Sequence, residues 1–163
     1  PMLFMGEDIA GSTGPIFSPE FVREEGLPRW KWISEPVKEK GYKFMYHTDG
    51  RYGNFLPLIF HDLDADALNP IERNGCNDIF AIRQQWAGKM AIIGNIPTSL
   101  LAYGSQEKIV ERVRDYCLKL APGGGYVLGA SASIQEGVPP ENFVAMMRAA
   151  HQYGRYGALG NEF

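Results

Sequence analysis

Five short apolar segments alternate with longer segments of helical pattern along this chain, and that alternation restricts the fold more than any other feature. The apolar segments are residues 2–5, 42–47, 65–68, 89–93 and 126–128. Small or polar residues follow each one, and apolar residues at helical spacing come next. Alternating strands and helices form parallel sheets that bind ligands at the carboxyl ends of their strands. The sequence therefore predicts an α/β fold, either a doubly wound sheet or a (β/α)8 barrel.

The chain length bears on the barrel interpretation. A (β/α)8 barrel has eight units in about 250 residues, whereas these 163 residues contain five. We therefore expect only the last five βα units, with residues 1–154 as the C-terminal part of a barrel and 155–163 as a tail. Five units without the other three leave the first and last strands as exposed sheet edges, which tend to pair with further strands. We therefore also expect either a missing N-terminal portion or a homo-oligomer.

The helix boundaries are marked by capping residues. Ser18 before Pro19 and Ser105 before the segment with Cys117 have the pattern of helix N-caps. In the last helix, which begins at residues 139–141, the spacing predicts that Phe143, Met146, Met147 and Ala150 face inward.

Composition excludes several classes of function. The net charge is −3, and the basic residues form no stripe, which argues against nucleic acid as a partner. Cys76 and Cys117 lack a CxxC spacing, so we expect neither disulfides nor a cysteine-rich zinc site, which favours the cytoplasm. No apolar run approaches the roughly 20 residues of a membrane span. A small molecule remains the expected ligand.

The strongest candidate site lies in the segment from Tyr46 to Gly50. A period of two places His47 and Asp49 on the same side of an extended backbone, and Gly50 permits a sharp turn behind them. Such a pair is typical of general acid–base catalysis or of a metal site, although it can also simply satisfy loop amides.

The other strand ends also carry polar residues, which would converge at the mouth of a barrel. We predict catalytic roles for His47, Asp49, Glu7 and Asp8, and metal ligation by His47, Asp49 and Glu7 if a metal is bound. The predicted substrate-binding residues are Asn69, Glu72, Asn95, Ser131 and Ser133. The two serines lack the Gly-x-Ser-x-Gly elbow of a nucleophilic serine.

The strand-end motifs, taken in order, resemble those of the uroporphyrinogen decarboxylase superfamily. The motifs are Glu7-Asp8, Gly14-Pro15, Phe17-Ser18-Pro19, His47-Thr48-Asp49-Gly50, Leu68-Asn69-Pro70, Gly94-Asn95-Ile96, the segment with Leu101, Tyr103, Gly104, Ser105 and Glu107, the run Gly125-Tyr126-Val127-Leu128-Gly129, and Pro139-Pro140-Glu141-Asn142. The resemblance runs from Met2 to Gly154 and implies the last five units of a (β/α)8 barrel.

That resemblance implies one of two chemistries. Members of the superfamily decarboxylate the acetate side chains of a tetrapyrrole without a cofactor, or transfer methyl groups between corrinoid proteins and thiols with zinc. The zinc methyltransferases have a cysteine where this chain has Asp49, and a second one where it has residues 129–133. A histidine that the decarboxylases place after the last strand has no counterpart between Leu128 and Pro139.

The resemblance therefore favours a decarboxylase-like carbon–carbon lyase that acts without a cofactor on a carboxylated, tetrapyrrole-like substrate. In this interpretation Asp49 and His47 orient or protonate the substrate, and Glu7 and Asp8 shape the mouth. The alternatives are a corrinoid-dependent methyltransferase that uses zinc together with a corrinoid protein, and a catalytically silent assembly module.

Overall fold

A five-stranded parallel sheet forms the centre of the structure, which is a computed structural model that describes residues 1–71 and 78–155. Its strands are β1 (Met2–Gly6), β4 (Lys43–His47), β5 (Ala67–Asn69), β6 (Ala91–Ile93) and β7 (Tyr126–Val127), and the short strands β2 (Ala10–Gly11) and β3 (Gly14–Pro15) form a separate antiparallel hairpin. The helices are α1 (Pro19–Phe21), α2 (Leu27–Glu39), α3 (Ile79–Trp86), α4 (Thr98–Tyr103), α5 (Gln106–Leu120) and α6 (Pro140–Tyr153), with π-helical turns at Val22–Gly26 and Leu58–Asp62 and a 3₁₀ turn at Gly53–Phe55.

The order of the strands distinguishes between the two predicted architectures. The order is β1-β4-β5-β6-β7, so each strand pairs in parallel with the next strand of that sheet along the chain. A doubly wound sheet reverses its order at a switch point, whereas a barrel wall runs in sequence order. The structure therefore confirms the barrel-type fold with five strands.

The register assigns the strand residues to two faces of the sheet. Gly6, His47 and Asn69 are neighbours across the first three strands and therefore lie on the same face, which corresponds to the interior of a barrel. Residues of the opposite face pack against the helices and are 0–1% exposed in β4, β5 and β6, namely Phe44, Tyr46, Leu68 and Ile92. The core of the molecule thus lies between the sheet and its helices.

The helices begin at the predicted caps. The Ser18 hydroxyl accepts the N–H of Phe21, and the Ser105 hydroxyl accepts the N–H of Lys108. Cys117 is 2% exposed on the buried face of α5, as predicted for a core residue. No helix within residues 1–71 and 78–155 is both long enough and apolar enough to cross a membrane.

The inward face of α6 differs from the prediction. Met146 is buried as expected, but Phe143 and Met147 are 38% and 39% exposed. Asn142 is buried instead, because its amide donates to the carbonyl oxygens of Leu101 at 2.8 Å and Gly104 at 3.0 Å. These bonds satisfy carbonyls at the end of α4, so the helix is rotated toward a polar contact that the apolar spacing does not reveal.

Apolar side chains on the barrel-interior face are exposed, which suggests association of this chain with another. Met2, Phe4 and Val127 are 52%, 53% and 51% exposed, and β1 and β7 are the edge strands. We propose that the 163-residue chain self-associates through this face, because an open parallel edge next to exposed apolar residues tends to pair with another chain. Sedimentation should show a dimer or larger species, and Phe4→Ser should shift the distribution toward monomer. A cooperatively folded monomer at all concentrations would contradict the proposal.

Asp66 is expected to give the fold a pH-dependent contribution. Its carboxylate accepts from Lys43 Nζ at 2.7 Å and from the N–H of Phe44 at 2.9 Å. Burial by itself raises the pKa of this carboxyl, but the bonds from Lys43 and Phe44 and the charge of Lys43 outweigh it, so the pKa is lowered. We expect Asp66→Asn to reduce the free energy of unfolding at neutral pH by about 1–2 kcal/mol.

The sign of that pH dependence follows from the lowered pKa. The stabilisation is present above the unfolded pKa of about 4 and is lost as the pH falls through the folded pKa. Urea titrations between pH 7 and pH 2 should therefore show the difference between wild type and Asp66→Asn closing as the solution becomes acidic. A difference that stays constant over this range would show that the carboxylate charge is not responsible.

Candidate active site

The candidate site lies where β1, β4 and β5 end. Three ligand atoms, one each from Asp8, His47 and Asp49, lie within 4.8 Å of one another. His47 Nε2 is 3.8 Å from Asp49 Oδ2, so the prediction that the two side chains share one side of the backbone is confirmed. We refer to these three residues as the carboxyl-edge cluster.

Asn69 holds the imidazole of His47 from the neighbouring strand. His47 Nδ1 and Asn69 Oδ1 are 2.9 Å apart, and the two residues are direct neighbours in the register of β4 and β5. An amide oxygen only accepts hydrogen bonds, so Nδ1 carries the proton and donates it. Nε2 is then the ring nitrogen that faces the two carboxylates.

Glu7 lies apart from this cluster. Its carboxylate accepts a hydrogen bond from the indole N–H of Trp30, which lies on α2. Successive residues point to opposite sides of an extended chain, so Glu7 faces the helix layer and Asp8 faces the barrel interior. Glu7 and Asp8 were both predicted to be catalytic and only Glu7 to be a metal ligand, but the structure brings Asp8 rather than Glu7 next to His47 and Asp49.

Two acidic side chains beside β4 also affect Tyr46. Burial raises the pKa of the Tyr46 hydroxyl, and the negative charges of Glu7 and Asp8 raise it further. Tyr46 is 0% exposed, and its ring contacts Trp30 with 5.1 Å between centroids. The phenol stays neutral at physiological pH and serves as a packing surface beneath the cluster.

Hydrogen bonds fix the segment that carries Asp8 to the segment that carries Asp49. The N–H of Asp49 donates to Asp8 Oδ1 at 3.0 Å, and the N–H of Ile9 donates to the buried hydroxyl of Thr48 at 3.2 Å. Gly50, with a φ of 83°, lies against the backbone of residues 10–11. The relative positions of the cluster residues are therefore determined by backbone contacts, which limits their rearrangement.

Asn95 is buried at the end of β6, with 1% of its surface exposed. Its Nδ2 donates to the carbonyl of Ile71, whereas Oδ1 has no hydrogen-bond donor in the part of the chain that the structure describes. This oxygen can accept a bond from a substrate or from water. The substrate-binding role of Asn95 remains a prediction.

The structure places the two predicted serines differently. Ser131 is 7% exposed, and its hydroxyl accepts the N–H of Thr98 at the start of α4, which is a structural contact. Ser133 is exposed. Glu72, which we also predicted to bind substrate, lies outside the described residues. The roles of all three in binding remain predictions.

Spacing along the chain does not identify two contacts of the site. Trp30 holds Glu7 away from the cluster, and it comes from a helix 23 residues farther along the chain. The contact between Asn69 and His47 depends on the register of two strands, which a single sequence does not specify. Asn69 could be identified only as a polar residue at a strand end.

The donor set of the cluster fits a divalent cation. One imidazole nitrogen and two carboxylates are suitable ligands for zinc or manganese, whereas the thiolates that favour the softest metals are lacking in the cluster. The ligand atoms of a bound cation lie closer together than 4.8 Å, so small side-chain rotations would complete the site.

Comparisons with known proteins identify the family of this chain. The family model described as Uroporphyrinogen decarboxylase (URO-D) matches residues 3–153. The uroporphyrinogen decarboxylase of Danio rerio is 26% identical over 153 residues, an alignment that covers 91% of this chain and 39% of that protein. The Serratia proteamaculans uroporphyrinogen decarboxylase is 36% identical over 114 residues, covering 64% of this chain and 32% of the relative. The chain thus spans about a third of the length of these relatives.

A solved structure shares the fold. The structure of a methyltransferase from Methanosarcina mazei superimposes with a TM-score of 0.71 at 17% identity, covering 94% of this chain and 42% of that one. At this identity the likeness establishes the fold alone. With strand order, register and family match in agreement over residues 3–153, the chain belongs to the uroporphyrinogen decarboxylase family.

Proposed function

We propose that this chain forms the C-terminal part of a carbon–carbon lyase that acts in the cytoplasm on a carboxylated, tetrapyrrole-like substrate. The observation that carries the proposal is the carboxyl-edge cluster, which lies at the strand ends of a chain in this family. Ligands of barrels bind at this end of the strands.

The chemistry of decarboxylation indicates the roles of the cluster residues. The carbon–carbon bond breaks as carbon dioxide leaves, and the electron pair left behind must be accepted by the ring and then by a proton. His47 Nε2 faces the carboxylates of Asp8 and Asp49, because Nδ1 donates to Asn69. His47 and Asp49 therefore orient or protonate the substrate.

A direct assay tests this proposal. The natural full-length protein, incubated anaerobically with a carboxylated porphyrinogen, is expected to convert acetate side chains to methyl groups with release of carbon dioxide. Mass spectrometry of the oxidised products measures this conversion. Unchanged substrate under conditions in which a known uroporphyrinogen decarboxylase is active would overturn the proposal.

Methyl transfer with a corrinoid protein is the second candidate, and the metal-compatible donor set of the cluster favours it. In that case the protein, supplied with zinc, would move a methyl group from a methylated corrinoid to a thiol. Spectroscopy of the corrinoid follows that step directly, and the porphyrinogen would remain unchanged.

A further inference from the structure

We propose that an apolar rim beside the strand-end site holds the flat ring of the substrate, and that a neighbouring arginine binds one of the substrate carboxylates. The rim consists of Ile16, Phe17 and Phe21, and the arginine is Arg51. All four residues lie outside the carboxyl-edge cluster. The inference rests on the proposed function, because it assigns the two parts of a carboxylated, tetrapyrrole-like substrate to particular side chains.

The residues of the apolar rim are exposed to solvent. Ile16, Phe17 and Phe21 are 58%, 40% and 50% exposed. The two phenylalanine rings stack, with their centroids 5.2 Å apart and an angle of 24° between their planes. A single exposed apolar residue is ordinary, whereas a group of them with stacked aromatic rings is typical of a binding surface.

Helix capping accounts for only part of this arrangement. Ser18 is the N-cap of α1, and an apolar residue before an N-cap commonly packs on the first turn of its helix. Val22 in that turn is 2% exposed, so the helix start already has a buried apolar contact. Phe17 and Phe21 contact each other and still keep about half of their surface in solvent. Capping therefore explains their contact but not their exposed faces.

Backbone hydrogen bonds place the apolar rim beside the carboxyl-edge cluster. The N–H of Ile16 donates to the carbonyl of Ile9 at 2.9 Å, and Ile9 directly follows Asp8. The hairpin of β2 and β3, which joins Ile9 to Ile16, lies against Gly50. The rim is therefore held at the edge of the site by the same segments that carry Asp8 and Asp49.

Arg51 adds a positive charge next to the same hairpin. Its backbone N–H donates to the carbonyl of Gly11 at 3.0 Å, and its side chain is exposed. Within residues 1–71 and 78–155, no carboxylate lies at ion-pair distance from the Arg51 guanidinium. Guanidinium groups bind carboxylates through two parallel hydrogen bonds. An apolar surface beside an unpaired arginine therefore matches a flat ring that carries carboxylates.

The test is a titration of the natural full-length protein with a carboxylated porphyrin, followed by the change in porphyrin absorbance. We expect Phe17→Ala and Phe21→Ala each to raise the dissociation constant by about 5- to 50-fold. Phe17→Tyr keeps the ring and should stay within twofold of wild type. Arg51→Gln should weaken binding by about 3- to 10-fold, and Arg51→Lys should restore part of the loss. Added salt should weaken binding less in Arg51→Gln than in wild type, because it screens the charge pair.

Trp32→Ala is the control for the loss of an exposed aromatic ring. Trp32 is 79% exposed on α2, and 11 residues of helix, or about 16 Å, separate it from Phe21. Its removal should leave the dissociation constant within twofold of wild type. Equal weakening by Trp32→Ala and Phe17→Ala would overturn the inference, because the loss would then not depend on the position of the ring.

Thermal unfolding and turnover separate this inference from the alternatives. Variants of Phe17 and Phe21 that melt earlier but bind the porphyrin like wild type would show that the rings pack against another part of the full-length protein, which overturns the inference. Normal porphyrinogen turnover in wild type with unchanged porphyrin binding in both alanine variants would reject the inference and leave the proposed lyase intact. Ring-dependent porphyrin binding without turnover in wild type would reject the lyase and support the inference.

Discussion

Replacing Gly50 by alanine is expected to reduce the free energy of unfolding by about 3–5 kcal/mol, which corresponds to about 10 °C or more in the melting temperature. Gly50 has a φ of 83°, in the left-handed region. A Cβ atom there would lie 2.5 Å from the carbonyl oxygen of Ala10 and 2.6 Å from that of Gly11. The clash would push apart the two segments that carry Asp8 and Asp49, so the hydrogen bond between the Asp49 N–H and Asp8 Oδ1 should be lost as well.

Gly41 offers a matched control for this prediction. Its φ of 74° carries a similar conformational preference, but a Cβ built on it meets nothing within 4 Å. Gly41→Ala should therefore cost only the left-handed strain of about 1–2 kcal/mol. Thermal and urea unfolding measure both variants. Equal losses at the two positions would show that the contact with residues 10–11 does not hold the site together.

Replacing His47 by alanine is expected to lower the turnover of a carboxylated porphyrinogen by about 10²–10⁴-fold in the natural full-length protein. His47 is the cluster residue with a ring nitrogen facing Asp49, at 3.8 Å, and Asn69 fixes its orientation. The same variant should retain a cooperative unfolding transition, because His47 is only partly buried.

His61→Ala is the control for the loss of a histidine. His61 is exposed in the π-helical turn Leu58–Asp62, and its ring contacts Trp86 at 4.8 Å between centroids. The His61→Ala protein should turn over the porphyrinogen at a rate within twofold of wild type. A His47→Ala protein that turns over porphyrinogen as fast as His61→Ala would place the chemistry elsewhere in the molecule.

Much of the fold and part of the site follow from local patterns. Strand ends were predictable because short apolar runs stop at glycine, proline and polar residues. His47 and Asp49 lie on the same side because side chains alternate along an extended chain. The same rule, applied one residue further, separates Glu7 from Asp8. Which of the two residues faces the helices is known only from the contact of Glu7 with the Trp30 indole.

The remaining features depend on contacts between distant segments. The pairing of His47 with Asn69 follows from the β4–β5 register, and the inward position of Asn142 follows from two carbonyls at the end of α4. Ser131 resembles a binding residue in sequence, yet its hydroxyl accepts a bond from Thr98. Polar side chains form hydrogen bonds with backbone groups of distant segments, and these partners cannot be predicted from residue spacing along the chain.

We propose that a carboxylated tetrapyrrole binds at the carboxyl ends of the strands. Backbone amide NMR spectra of the natural full-length protein, recorded during titration with a carboxylated porphyrin, test it most directly. We predict shift changes centred on Asp8, His47, Asp49 and Asn69. Shift changes confined to the groove of about 820 Å³ between α5 and α6 would contradict this binding site. Changes confined to the pocket at the amino ends of the strands, beside Lys43 and Asp66, would contradict it as well.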